Sequence, residues 1–154
     1  MKKNLKIVLI VIAILALAGA ATGIYLYNLK PKDLGKVKPD FVVTSSELQS
    51  AFEENETAAV VKYVNKTIEV SGEIGSVEPG ENNSVNVSLK TNSSYSSVIC
   101  TFPSGVDTGK IKEGSQISIR GECSGYLMDV LLNNCVVSGG PGTPLKKPDP
   151  ETVL

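Results

Sequence analysis

The feature that most constrains this chain is a run of 23 residues without a charged side chain, residues 7–29. At about 1.5 Å per helical residue, a run of this length spans the roughly 30 Å hydrocarbon core of a bilayer. Tyr25 and Tyr27 stand where aromatic side chains favour the membrane interface. Lys30 and Lys32 follow as a polar stop. The sequence therefore predicts one transmembrane helix at residues 7–29.

A cleavable signal peptide is the alternative reading of this segment. Ala18-Gly19-Ala20 has the small residues of a cleavage site, but the apolar run is longer than the roughly 7 to 15 residues of a signal-peptide core. A lipid anchor would require a cysteine directly after the run, and the first cysteine is Cys100. The transmembrane anchor is the favoured interpretation.

The orientation of the anchor is predicted from its N-terminal flank. Residues 1–6 carry three Lys and lead directly into the apolar run, which is how a signal anchor begins. The Lys counts on the two sides of the run are nearly equal, so the positive-inside comparison decides little. We expect a cytoplasmic N-terminus at 1–6, a single pass through the inner (cell) membrane, and a C-terminal domain on the extracytoplasmic (periplasmic) side.

The predicted helix also carries a face of small residues. These are Ala16, Gly19, Ala20 and Gly23, which include one G-x-x-x-G motif. Small residues at this spacing allow two membrane helices to approach closely, although they are also common in membrane helices generally. The face predicts a homodimer through the transmembrane helix as one option.

Beyond the anchor, composition divides the chain into three parts. Residues 30–43 mix Pro, Gly and Lys and are predicted to be an extended linker. Residues 44–138 have the size of one domain. Residues 139–154 are so rich in Pro and Gly that we predict a disordered tail.

The domain opens with a helical pattern and continues with strands. Thr44-Ser45-Ser46-Glu47 is typical of a helix cap, and the apolar residues after it recur at helical spacing as far as Tyr63, with a break expected near Asn55. Five segments then alternate apolar and polar residues, around Ile68, Val87, Cys100, Ile119 and Leu132. One amphipathic helix followed by five short strands predicts a mainly β fold, a small closed barrel.

The residues also carry a family resemblance, which covers roughly residues 41–137. It rests on the Ile68-x-Val70-x-Gly72 pattern, on Gly121-x-Cys123-x-Gly125, and on Asp129-Val130-x-Leu132-x-Asn134-Cys135. In these positions the chain resembles the tRNA_anti-like family of bacterial membrane-anchored or lipoprotein-type OB-fold domains. The resemblance implies a five-stranded OB-fold-like barrel. Because the matching residues are packing residues, it does not by itself imply tRNA binding.

Composition argues against two classes of function. The chain contains no His, which removes Ser-His and Cys-His nucleophile activation and most zinc sites. Residues 40–138 hold six Lys and Arg against thirteen Asp and Glu, a net charge of −7, whereas a groove that follows phosphates needs cations. We therefore expect no enzymatic activity, no cofactor, no metal and no nucleic-acid partner.

The three cysteines, Cys100, Cys123 and Cys135, all fall in predicted strands. Cys100 and Cys123 share the inward parity of their strands and are expected to lie close together. In an oxidising compartment one disulfide among the three is an option, and three buried free thiols are the alternative.

The sequence thus favours a membrane-anchored, extracytoplasmic OB-fold module that binds a small ligand, a glycan or a protein partner. The alternative is a structural component of an envelope protein complex, and a nucleic-acid-binding OB domain ranks below both. A concave polar pocket would favour the first function, and an exposed apolar patch the second.

Overall fold

The computed structural model describes residues 2–28 and 33–139. The chain forms two compact units, an N-terminal helix and a domain that begins at Asp33. The predicted tail at 139–154 lies outside the described residues, apart from Gly139.

The N-terminal unit is one uninterrupted helix, α1 (Lys2–Tyr27). Its stretch from Leu5 to Tyr27 is long and apolar enough to cross a membrane. The structure therefore confirms a long apolar N-terminal helix, a form that a membrane anchor and a signal sequence share.

The domain contains two helices and six strands. They are β1 (Phe41–Thr44), α2 (Ser45–Glu54), α3 (Glu56–Tyr63), β2 (Thr67–Pro79), β3 (Val85–Leu89), β4 (Val98–Phe102), β5 (Gln116–Leu127) and β6 (Asp129–Gly139). Strands β2 to β6 close into a barrel in the order β2-β3-β4-β6-β5, with β5 pairing back onto β2. The β4–β6 pair is parallel and the other barrel pairs are antiparallel. The predicted five-stranded OB-fold-like barrel is confirmed.

Helices α2 and α3 form where the sequence predicted one helix with a break. Thr44 caps α2 through a reciprocal capping box with Glu47. Asn55 ends α2 and also begins α3, because its side chain accepts a hydrogen bond from the backbone N–H of Ala58 at 3.0 Å. Phe52 and Tyr63 project from the two helices into the barrel core, and Phe52 stacks on Tyr126 of β5 with ring centroids 5.2 Å apart.

The segment ahead of α2 differs from the predicted linker at 30–43. Residues Phe41–Thr44 form β1, which pairs in parallel with β2. Leu34 is 1% exposed, and the Arg120 guanidinium donates hydrogen bonds to the carbonyls of Leu34, Gly35 and Val37 at 2.8–3.2 Å. Arg120 is held in turn by Glu69 at 2.6 Å. The described part of the predicted linker, residues 33–43, is thus packed against the barrel, because a buried Leu and a donor-rich Arg fix it there.

Candidate functional site

The outer face of strands β2, β3 and β4 carries a two-row array of mostly polar side chains, which we call the polar face. In the first row Glu78 is in register with Asn86, and Asn86 with Thr101. The second row consists of Ser76, Ser88 and Ile99, again in register. These residues face outward because their neighbours, such as Val87 and Cys100, fill the barrel core, and successive side chains of a strand alternate between its two faces.

A shallow groove of about 180 Å³ follows this face and is lined by Ser76, Glu78, Asn86, Ser88 and Ile99. Pockets for complete small-molecule ligands typically measure about 300–1,000 Å³, so the groove has room for part of a longer ligand rather than for a whole one. The hydroxyl of Thr101 donates to the side-chain oxygen of Asn86 at 2.8 Å. This bond fixes the amide of Asn86 and leaves its NH₂ group as the donor toward a ligand.

The charge of the polar face is acidic. Its ionisable residue is Glu78, and no Lys or Arg is among the side chains that line the groove. Lys90, the nearest cation along β3, is already paired with Glu73. Hydroxyl, amide and carboxylate groups beside an apolar Ile99 can exchange hydrogen bonds with an uncharged polar ligand.

Sequence reasoning placed these residues on strands but did not identify them as a site. The signal was present as a row of polar residues at the solvent-facing positions of three strands. The sequence does not show that β2, β3 and β4 are neighbours or which of their residues stand opposite each other. The two rows exist only because the strands pair in this register.

The structure brings together two of the three predicted cysteines, in a different combination from the one expected. All three are free thiols, and all three are fully buried. The thiol of Cys135 donates a hydrogen bond to the carbonyl of Leu132 at 3.4 Å. The neighbouring Cys135 side chain, together with burial, raises the pKa of Cys100. Burial also raises the pKa of Cys123, whereas a backbone hydrogen bond at Gly125 lowers it. Cys100 and Cys123 are each in register with Leu132, on the two sides of β6, so one strand lies between them. A disulfide among the three cysteines stays a prediction.

The small-residue face of α1 lies open along the helix. Apart from the backbone of α1 itself, a Cβ atom added at Gly19 or Gly23 would meet no described atom within 4 Å. The predicted contact of two such helices through Ala16, Gly19, Ala20 and Gly23 remains a prediction. In the described parts of the chain, no group of three His, Cys, Asp or Glu residues is arranged to hold a metal ion.

The strand order and the helices ahead of the barrel define the fold, and comparison with known proteins assigns the chain to a family. The sequence model of the tRNA_anti-like family matches residues 1–137. The chain belongs to the tRNA_anti-like family.

A solved structure shares the fold of this tRNA_anti-like domain. It is a lipoprotein of Klebsiella pneumoniae subsp. pneumoniae that was provisionally named a nucleic acid-binding protein. The match covers 62% of this chain and 89% of that one, with 20% sequence identity and a TM-score of 0.51. No curated protein sequence matches the chain. At this identity the likeness shows a common fold and leaves the ligand of the tRNA_anti-like domain to be inferred from its own residues.

Proposed function

We propose that this protein is a non-catalytic binding module, anchored by α1 in the cell membrane, whose extracytoplasmic domain binds an uncharged polar ligand on the polar face. The observation that carries the proposal is an in-register array across three strands, with the rows Glu78, Asn86, Thr101 and Ser76, Ser88, Ile99. The equivalent face of other OB-folds binds oligonucleotides and oligosaccharides.

The placement on the outer side of a bacterial inner membrane is supported by the sequence ahead of the helix. Three Lys precede the apolar run within residues 1–6, as in a signal anchor. The fold shared with a lipoprotein agrees with attachment to a membrane. In this proposal α1 is retained as the anchor.

An oligosaccharide is the ligand class that suits the groove best. Sugar hydroxyls both donate and accept hydrogen bonds, and the groove offers hydroxyls that do both, a carboxylate that accepts and an amide that donates. Ile99 offers an apolar surface for a sugar ring. The volume of about 180 Å³ suits one unit of a chain that extends along the strands.

Nucleic acid is the less favoured ligand, although the related lipoprotein carries a name of that kind. Neutralising phosphates requires Lys or Arg along the path of the backbone. Residues 40–138 have a net charge of −7, and the groove contains Glu78 in place of a cation. A polyanion would be repelled at this face.

A non-catalytic role is supported by the residue types at the face. Serine and a single carboxylate line it, and the chain has no His to activate a nucleophile. The acidic residues that could pair for general acid and base chemistry are instead dispersed over the surface or engaged with cations, as in Glu69 with Arg120 and Glu73 with Lys90.

The proposal is tested by NMR titration of the full-length chain in uncharged detergent micelles. A panel of neutral oligosaccharides is added to one set of samples and a single-stranded oligonucleotide to another. We expect at least one oligosaccharide to shift the amides of Ser76, Asn86, Ser88 and Ile99, and the oligonucleotide to leave them unchanged.

A matched pair of variants completes the test. Asn86→Ala should weaken oligosaccharide binding by about fivefold, since a hydrogen bond contributes about 1 kcal/mol. Glu56→Gln, an exposed change on α3 outside the groove, should leave it unchanged. Shifts that map elsewhere, or an oligonucleotide that binds the polar face, would refute the proposed ligand.

The second candidate function is a structural role in an envelope complex. It is favoured by one observation, namely that three large apolar side chains are exposed at one end of the barrel: Tyr95, Leu127 and Met128.

A further inference from the structure

Two loops at the end of the barrel present apolar side chains to solvent. Tyr95 lies in the loop between β3 and β4, and Leu127 and Met128 form the tip of the β5–β6 hairpin. Their exposed fractions are 89%, 78% and 70%. We call these three residues the apolar tip. A cluster of exposed large apolar residues on an otherwise acidic domain marks an interaction surface.

The apolar tip is held by bonds that join the two loops. The Asp129 carboxylate accepts hydrogen bonds from the backbone N–H of Ser97 at 2.6 Å and from its hydroxyl at 2.9 Å. Asp129 follows Met128 directly, so this contact fixes the hairpin against the β3–β4 loop. These hydrogen bonds between the loops, rather than contacts among the three apolar side chains, hold Tyr95 at the same end of the barrel as Leu127 and Met128.

A buried residue of α2 reinforces this arrangement from below. Gln49 is 1% exposed, and its amide NH₂ donates to the carbonyl of Met128 at 3.2 Å and to Glu53 at 3.2 Å. Glu53 in turn accepts a hydrogen bond from the Ser96 hydroxyl at 3.0 Å. Helix α2 and both loops thus form one polar network beneath the exposed side chains. A surface ordered in advance loses little conformational entropy when it binds.

The backbone of Met128, the single residue between β5 and β6, is strained. Its φ is +68°, in the left-handed region that Gly and Asn adopt readily and a Met does not. Asn occupies the comparable positions Asn65, Asn82, Asn83 and Asn134 of this domain. A large apolar side chain at such a position is a cost to stability, which is the pattern expected where a side chain serves binding.

The charges around the apolar tip are mainly acidic. The segments that build this end of the barrel are residues 45–54, 90–97 and 124–135, and together they contain four carboxylates and one cation, Lys90, which is paired with Glu73. Glu54 is exposed, and within residues 33–139 no hydrogen bond or ion pair engages its side chain. An acidic rim around apolar side chains complements a partner that offers an apolar pocket with a basic rim. An anionic bilayer surface would repel the same rim.

We propose that the apolar tip inserts into an apolar pocket, edged by Lys or Arg, on a protein partner in the same envelope compartment. This interaction uses a surface separate from the polar face and does not depend on the ligand proposed there. Leu127 and Met128 supply the inserted side chains, Tyr95 flanks them, and Gln49 and Asp129 are positioning residues.

The test is site-specific photocrosslinking of the full-length chain in its native host. A photoreactive phenylalanine analogue replaces Leu127 in one strain and Val61 in a control strain. Val61 is a suitable control because it is apolar and 80% exposed but lies on α3, outside the apolar tip. We expect position 127 to give an adduct with one protein, and mass spectrometry to place the crosslink at an apolar residue beside Lys or Arg.

Two variants tie the adduct to the chemistry of the surface. Glu54→Lys should reduce the yield at position 127 by about fivefold, since it places a cation against a basic rim. Met128→Asn should also reduce the yield, while raising Tm by roughly 4 °C because it relieves the backbone strain. A merely structural Met128 would not show this combination of higher stability and weaker contact.

Several results would overturn the proposal. They are adducts with lipid alone, adducts only with a second copy of this chain, equal yields at positions 61 and 127, or no adduct at 127. The proposal would also fail if Glu54→Lys left the crosslink yield at position 127 unchanged. It would fail likewise if Met128→Asn lowered Tm or left that yield unchanged.

Discussion

The N-terminal helix and the barrel use the same apolar residue types in opposite ways. In α1, Leu17 is 71% exposed and Ile14 is 59% exposed, whereas Ile68 and Leu132 of the barrel are fully buried. In the barrel these side chains are removed from water by each other, which contributes about 25 cal/mol per Å² of apolar surface. In α1 a single helix cannot cover its own apolar side chains, a surface that membrane anchors and signal sequences share. The comparison teaches that the barrel buries its apolar side chains by itself whereas α1 does not, so changes in one unit should leave the other intact.

The largest effect should come from emptying the barrel core. Phe102→Ala removes a fully buried side chain from β4 and should lower the free energy of unfolding by about 3–5 kcal/mol, because it leaves a cavity. Urea titration of the full-length chain in micelles measures this. Tyr95→Ala, which truncates an 89% exposed aromatic residue, is the control and should change stability by less than about 0.5 kcal/mol. Similar losses in both variants would contradict the core described here.

A charge in the middle of α1 should affect the helix and leave the stability of the barrel unchanged. Ile14→Lys should disfavour insertion of the helix by about 2.5–3.5 kcal/mol and shift the protein out of the membrane fraction. Ile14→Leu serves as the control. The urea midpoint of the barrel should be the same in both variants. A barrel that is destabilised by Ile14→Lys would show that the two units do not behave independently.

A smaller effect is expected at Gly121, where β5 and β6 approach each other closely. A Cβ atom at Gly121 would lie 2.6 Å from Sγ of Cys135 and 3.1 Å from Cβ of Leu132, so Gly121→Ala should destabilise the domain by about 1–3 kcal/mol. Gly109→Ala, in the β4–β5 loop, meets only the Asp107 carboxylate and should be nearly neutral. Adding Cys135→Ala to Gly121→Ala should recover part of the loss, and a double variant that recovers none would argue against this contact.

The smallest effect concerns alkaline pH. The Cys135 contact and burial raise the pKa of Cys100, so the native thiol keeps its proton at a pH where the unfolded thiol has lost it. The unfolded state then binds fewer protons, and the free energy of unfolding falls as pH rises above about 8.5. Urea midpoints at neutral and alkaline pH should decrease less in Cys100→Ala than in the wild-type chain. Parallel decreases in the two proteins would rule out a contribution from this thiol.

The sequence predicted those parts of the fold that depend on neighbours along the chain. The cap at Thr44, the break at Asn55 and the alternation within β2 to β6 are all set by residues a few positions apart, and the structure has them. The long uncharged run predicts its helix in the same way. Patterns of this kind can be read from one segment at a time.

Features that join distant segments were missed. β1 is only four residues long and acquires its role through pairing with Ile68 to Ser71, which no local pattern reveals. The proximity of Cys100 and Cys135 depends on the β4–β6 register. It also depends on Asn134, whose φ of +57° interrupts the alternation of β6, so that Leu132 and Cys135, three residues apart, both point into the core. The polar face and the apolar tip likewise need the strand order. The candidate sites were therefore less predictable than the fold that carries them.

The segment that Arg120 holds against the barrel determines which soluble forms of this protein can persist. A protease that cuts before Asp33 would release a fragment that keeps Leu34, β1 and the Arg120 contacts, and this fragment should stay folded. A cut after Thr44 would remove all three and expose the side of β2 that β1 covers. Whether a released fragment stays folded or is degraded thus depends on about a dozen residues ahead of the first helix of the domain.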